Sequence, residues 1–147
     1  MKTFVLSETT PAVTGTSVGG ALRGLDKFRE VIVHGVFTGA TAGTLDITLQ
    51  RRIEKAAEGT ELWADWVSFA QLASTAAETK VTLSSKGTPT TLAVTAVAID
   101  TAGDAAPALA AGEFIGGHPG DAIRAVYTLG AGVEVGAPVV IYATAIE

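Results

Sequence analysis

The chain predicts an all-β fold, an antiparallel β-sandwich or jelly roll of roughly eight to ten short strands. Three observations point there. Apolar and polar residues alternate with a period of two in several stretches. These stretches are separated by turns rich in Gly, Pro and Thr. No strand-helix-strand alternation suggests a parallel sheet, and no internal repeat suggests a solenoid or propeller. One short helix after the central hairpin is the only helical element the pattern allows.

The central stretch runs from Gly43 to Phe69. In its first half, Leu45, Ile47 and Leu49 alternate with Thr44, Asp46, Thr48 and Gln50, which gives one apolar row and one polar row. Ile53–Leu62 holds Glu54, Lys55, Glu58 and Glu61 and reads as a solvated loop. The partner strand carries both tryptophans. If it is a strand, Trp63, Asp65, Val67 and Phe69 share one face and Trp66 takes the other. One Trp then anchors the core and the other is exposed or buried in a contact. Both packing within the fold is the third option. Asp65, Ser68, Gln71, Thr75 and Glu78 also fit a helical stripe. The β-rich composition favours a strand through about Phe69, followed by an irregular or single-turn helical piece over Gln71–Ala77.

In chain order, residues 1–26 begin with the apolar run Phe4-Val5-Leu6 and continue in a Thr- and Gly-rich segment. They read as an N-terminal extended arm or edge strand, with the sandwich domain over 27–147. Phe28–Thr38 is a strand in which Val31, Ile32 and Val33 suggest burial on both faces. Gly35 marks a bulge or close backbone approach. Through the turn Gly39–Gly43 it is expected to form a hairpin with Thr44–Arg51. Lys80–Ser84 is a short strand with a turn at Ser85-Lys86-Gly87, and Thr90–Ile99 is another. Asp100–Pro107 is a loop, Leu109–Ile115 a candidate strand, and Gly116–Gly120 a turn. Asp121–Leu129 alternates, with Ile123, Ala125, Tyr127 and Leu129 on one face and Arg124 on the other. Val133–Val135 lies between glycine turns, and Val139–Ile146 closes the chain.

Composition narrows the function. Of 147 residues, 48% are apolar but only 6% aromatic, so the core is built mainly of aliphatic side chains. Charged residues are 17%, against roughly 25% in an average soluble domain. With a mean hydropathy of +0.39, two readings are open: part of the surface is covered by copies of the chain or by a larger assembly, or Ala, Gly and Thr simply take the place of charges on it. Net charge is −5, and no basic run extends beyond Arg51-Arg52, which argues against nucleic acid and anionic membranes as partners. There is no cysteine, hence no disulfide and no thiolate chemistry. The N-terminus has only three consecutive apolar residues, where a secretory signal needs about 7–15. A soluble chain without an export signal is the expectation.

Catalytic signatures are absent: no G-x-S-x-G turn, no phosphate loop, no H-E-x-x-H and no EF-hand pattern. His34 lies in an apolar strand and reads as a hydrogen-bonded core or interface histidine. His118, in GGHPGD, reads first as a turn residue and second as a site. Asp100, Asp104 and Asp121 would hold a Ca²⁺ ion only if the fold gathered them, and solvated loop carboxylates are the simpler reading. A hydrolase around His118 and Asp121 and a carbohydrate-binding module using Trp63 or Trp66 are the alternatives to a structural role. No cofactor or metal is expected.

The pieces Thr44-Leu45-Asp46…Leu49-Gln50, Trp63-x-Asp65, Trp66-x-x-Phe69 and Arg124-x-x-Tyr127 together resemble small β-sandwich virion proteins of tailed bacteriophages. The resemblance spans about two thirds of the chain and leaves residues 1–26 outside it. It implies a non-enzymatic structural component, a capsid decoration or cement subunit before a head–tail connector or tail component. The implied partners are copies of itself, a trimer among the symmetric forms, and a major capsid or other virion protein. Its place would be the virion, assembled in the host cytoplasm. Phe4, Val5, Leu6, Trp66 and His118 are the candidate interface residues. On this reading the N-terminal arm reaches a neighbour, so deleting Met1–Gly20 should weaken particle binding and leave the fold intact.

Overall fold

The computed structural model describes residues 1–9, 15–37, 44–55, 61–69, 72–73, 79–86, 99–101, 109–130 and 139–147. It is a sandwich of two antiparallel sheets. Seven strands of eight to twelve residues carry it: β1 (Lys2–Thr9), β2 (Gly15–Arg23), β3 (Glu30–Phe37), β4 (Thr44–Lys55), β5 (Glu61–Ser68), β9 (Ala122–Leu129) and β10 (Val139–Ile146). Three shorter ones, β6 (Leu72–Ala73), β7 (Thr79–Ser84) and β8 (Ile99–Thr101), are added to them. The smaller sheet has the order β1-β10-β3-β7. The larger has the order β2-β9-β4-β5-β8, with β6 also on β4.

The apolar rows face inward as their alternation requires. Val31 and Val33 of β3 and Val139, Ile141, Ala143 and Ala145 of β10 meet Leu45, Ile47 and Leu49 of β4 and Ile123, Ala125, Tyr127 and Leu129 of β9. Aliphatic burial of this kind contributes roughly 25 cal/mol per Å² and is the main stabilising term. The sheets are also joined through the core, where the Tyr127 hydroxyl donates to Ser7 Oγ at 2.7 Å. Gly19 packs closely against this joint: a Cβ there would stand 3.3 Å from Ser7 Oγ and 3.4 Å from the Ala125 carbonyl oxygen, so a larger residue would press on it. β2 carries a register shift between Val18 and Ala21 at this point.

Several expectations change. β3 and β4 do not form a hairpin: β3 pairs with β10 and β7 in one sheet, and β4 with β5 and β9 in the other. Both strands bury one face, so placing them in opposite sheets buries both against each other. β3 runs in unbroken register past Gly35, so there is no bulge. Ile32 is half-exposed, so only one face of β3 is fully buried. β4 runs to Lys55 and β5 begins at Glu61, which leaves a loop shorter than Ile53–Leu62. The first helical turn, Leu25–Lys27, precedes β3, and Leu72–Ala73 pairs with β4 as a strand. The rest of the Gln71–Ala77 expectation lies outside the described residues, apart from the strand pair. In place of a strand over Leu109–Ile115 there is a turn and a single bridge between Phe114 and Val67. Most of Thr90–Ile99 and Asp100–Pro107, and all of Val133–Val135, lie outside the described residues, although Ile99–Thr101 is β8.

Residues 1–26 take the edge-strand form. β1 is the edge of the smaller sheet, β2 that of the larger, and Leu6 and Leu25 are buried in the core. A free arm over Met1–Gly20 is therefore not what these residues build.

Candidate functional site

A polar row crosses the outer face of the larger sheet, opposite the core. Register places Arg124 of β9 beside Gln50 of β4, and Gln50 beside Asp65 of β5. Arg124 Nε donates to Gln50 Oε1 at 2.8 Å, and Gln50 Nε2 donates to Asp65 Oδ1 at 2.9 Å. Asp65 Oδ2 accepts from the Leu109 backbone N–H at 2.9 Å. The Arg124 guanidinium lies 4.7 Å over the Trp63 ring. The Gln50 amide thus turns its oxygen to the cation and its N–H to the anion, joining two charges through one dipole. Gln50 and Asp65 are fully buried, and Arg124 is 3% exposed.

A bulge makes this row possible. Leu49 pairs with Val67 and Gln50 with Asp65, so Trp66 is the extra residue on β5. The bulge reverses the alternation. Trp63 and Asp65 go outward, while Val67 and Phe69 join the core. The four do not share one face, because an unbroken strand would drive the Asp65 carboxylate into the apolar core, where an unpaired charge is costly. Trp66 packs edge-to-face on Phe114, centroids 5.9 Å apart, and its Nε1 donates to the Gly117 carbonyl at 3.0 Å.

Beyond the row lies a chain of ion pairs. Arg52 Nε donates to Asp121 Oδ1 at 3.0 Å, and its NH2 group pairs with Oδ2. Arg52 NH1 reaches Glu61 at 2.9 Å, and Glu61 takes a two-pronged pair from Arg23 at 2.5 and 2.8 Å. Hydrogen bonding from Arg23, helped by Arg52, holds the Glu61 carboxyl down at about 2.

The predicted interface residues do not converge. Phe4 is half-buried and packs edge-to-face on Phe28. Val5 is 55% exposed on the outer side of β1. Leu6, the extra residue of a β1 bulge, is buried. Trp66 is fully buried, so it offers no surface. His118 is half-buried; its Nδ1 accepts from the Gly120 N–H at 3.1 Å, within a turn whose Gly116, Gly117 and Gly120 all have positive φ. Among the described residues its buried Nε2 has no hydrogen-bond partner, and neither has the buried Trp63 Nε1. Both tryptophans are buried within the fold, so neither ring can stack on a sugar. His34 lies on the outer side of β3, half-exposed, and not in the core. Asp121 is engaged by Arg52. Asp104 lies outside the described residues, and among the described residues no group of three or more His, Asp or Glu is gathered for a metal.

Sequence reasoning named Gln50, Trp63, Asp65 and Arg124 separately and missed that they meet. The available signal was a glutamine and an arginine on the polar sides of two alternating strands. The fold and site define an antiparallel β-sandwich in which, among the described residues, the polar row of Gln50, Asp65 and Arg124 is closed to solvent and bonded to itself. No family model, curated protein or solved structure matches the chain.

Proposed function

We propose that the protein is a non-catalytic structural subunit of a tailed-phage virion, a capsid decoration or cement protein that binds the shell surface. The observation carrying this reading is the use of the polar cluster. Arg124, Gln50, Asp65, Arg52, Glu61 and Asp121 spend their hydrogen bonds and charges on one another, tying β9, β4 and β5 together with the segment at Leu109. A catalytic or ligand site needs converging polar groups that reach solvent or substrate. These groups stiffen a building block instead. The low charge content and the sequence resemblance support the same reading.

The test is co-sedimentation of purified protein with intact particles of its source phage. Saturable binding in many copies spread over the shell is expected. Binding of a single ring at one vertex would transfer the protein to the head–tail connector. Protein that stays in the supernatant, and is absent from purified particles by mass spectrometry, would remove the reading.

A further inference from the structure

The turn Gly116–Gly120 carries a histidine that neither the polar row nor the ion pairs use. His118 Nδ1 accepts from the Gly120 backbone N–H at 3.1 Å. A backbone N–H can only donate, so the neutral ring carries its one proton on Nε2. Among the described residues that Nε2 is buried and has no hydrogen-bond partner. A second proton has to go to Nδ1. A protonated Nδ1 donates, so it would meet the Gly120 N–H donor to donor. The closed turn therefore suits the neutral ring alone.

The turn is also tied to the core. The Gly117 carbonyl, one residue before His118, accepts from Trp66 Nε1 at 3.0 Å. Trp66 is the bulge residue of β5 and is fully buried. The Ile115 N–H donates to the Trp66 carbonyl at 3.0 Å. A change in the turn thus reaches the core through the Trp66 indole.

The charged groups around the turn are bonded elsewhere. Asp121, directly after it, pairs with Arg52 of β4, whose carbonyl oxygen lies 3.7 Å from where a Gly120 Cβ would stand. Behind Arg52 stand Glu61 of β5 and Arg23 of β2. Asp65 of β5 is bonded to Gln50 and to the Leu109 N–H. Glu113, on the same segment as the turn, accepts from the Ala110 N–H at 3.0 Å. Among the described residues none of these groups is bonded to the His118 ring.

We infer that His118 is a proton-operated latch: proton uptake from solvent at Nδ1 breaks the bond to Gly120, opens the turn and frees the Trp66 indole N–H from Gly117. The open turn binds one proton more than the closed one, so acid favours it. Below about pH 6.5, where a free histidine takes its proton, the open-to-closed ratio rises about tenfold per pH unit. The inference is independent of the proposed function.

Nitrogen–proton correlation spectra of the full chain from pH 8 to pH 5, with exchange protection factors at each pH, test it. In wild type the Gly120 amide and the Trp66 indole N–H are expected to lose protection as the His118 ring titrates. The expected loss is about tenfold per pH unit. The Ala125 amide of β9, in the core, is expected to keep its protection, which marks the opening as local. His118→Asn puts Oδ1 in the place of Nδ1, an acceptor that does not titrate, so its Gly120 protection is expected to stay flat. His34→Gln is expected to leave the wild-type response, because His34 lies on β3 in the other sheet. A Gly120 amide that keeps its protection while His118 takes up its proton overturns the inference. So does a ring still neutral at pH 5, a loss shared by Ala125, a response that survives His118→Asn, or one that His34→Gln abolishes. If His118→Asn fails to fold, the wild-type spectra decide, since ring and amide are read in one molecule.

Discussion

Gln50 donates to Asp65 at 2.9 Å with both residues fully buried on the outer face of the larger sheet. The same amide accepts from Arg124, so one neutral side chain serves two buried charges. Replacing it with leucine keeps the volume and removes both bonds. Gln50→Leu is expected to cost about 2–4 kcal/mol, since buried charged groups left short of partners are strongly destabilising. Urea unfolding would register this as a lower midpoint at unchanged slope. A loss below half a kcal/mol would mean that the row is dispensable.

Trp66 should behave as a core residue. Trp66→Ala is expected to cost about 3–5 kcal/mol, as large-to-small core changes do. Trp66→Phe keeps a ring near Phe114 but loses the bond to Gly117, with an expected cost of about 1–2 kcal/mol. Equal stability of wild type and Trp66→Ala would place the side chain on the surface.

Stability in acid should depend on Glu61. Its carboxyl is held at about 2 in the folded chain, below the ordinary 4.5, chiefly by the Arg23 hydrogen bonds. The unfolded chain therefore takes up this proton first as pH falls. The stabilisation is complete above the ordinary value and is lost as pH drops toward about 2. Glu61→Gln should flatten the acid limb of a stability-against-pH curve in that window. An unchanged limb would show that the pair with Arg23 is not kept in solution.

In alkali the sensitive group is Tyr127. Burial raises its pKa above the usual 10, partly opposed by the hydrogen bond to Ser7. The folded chain holds this proton longer than the unfolded chain, so stability is complete below pH 10 and falls as pH rises beyond it. Tyr127→Phe should cost about 1 kcal/mol at neutral pH through the lost bond. It should also remove part of the alkaline decline, which chemical denaturation from pH 8 to 11 would follow.

Deleting residues 1–20 removes β1 and most of β2, one edge from each sheet. The deleted chain is expected to aggregate or unfold, because β10 and β9 become open edges and Leu6 leaves the core. A soluble truncated protein with wild-type circular dichroism would restore the reading of this segment as a detachable arm.

The strands themselves were legible because a pleated strand leaves a local mark, alternation with a period of two. Leu45, Ile47 and Leu49 announced β4, Ile123 to Leu129 announced β9, and the turn glycines separated them. Even the β4–β5 hairpin could be read, since its partners are neighbours in sequence. Sheet membership could not, because an amphipathic strand specifies that one face is covered and not by which strand. β3 and β4 therefore looked like a hairpin, yet they belong to opposite sheets.

Only the folded chain decided the polar row. Gln50, Asp65 and Arg124 are 15 to 74 positions apart in sequence, and they meet because register aligns them. The bulge at Trp66 decides which side of β5 the Asp65 carboxylate takes, and that choice is energetic: a charge left without partners among apolar side chains is worse than one displaced residue. Local alternation determined what each strand is, and long-range pairing determined what its polar side chains do.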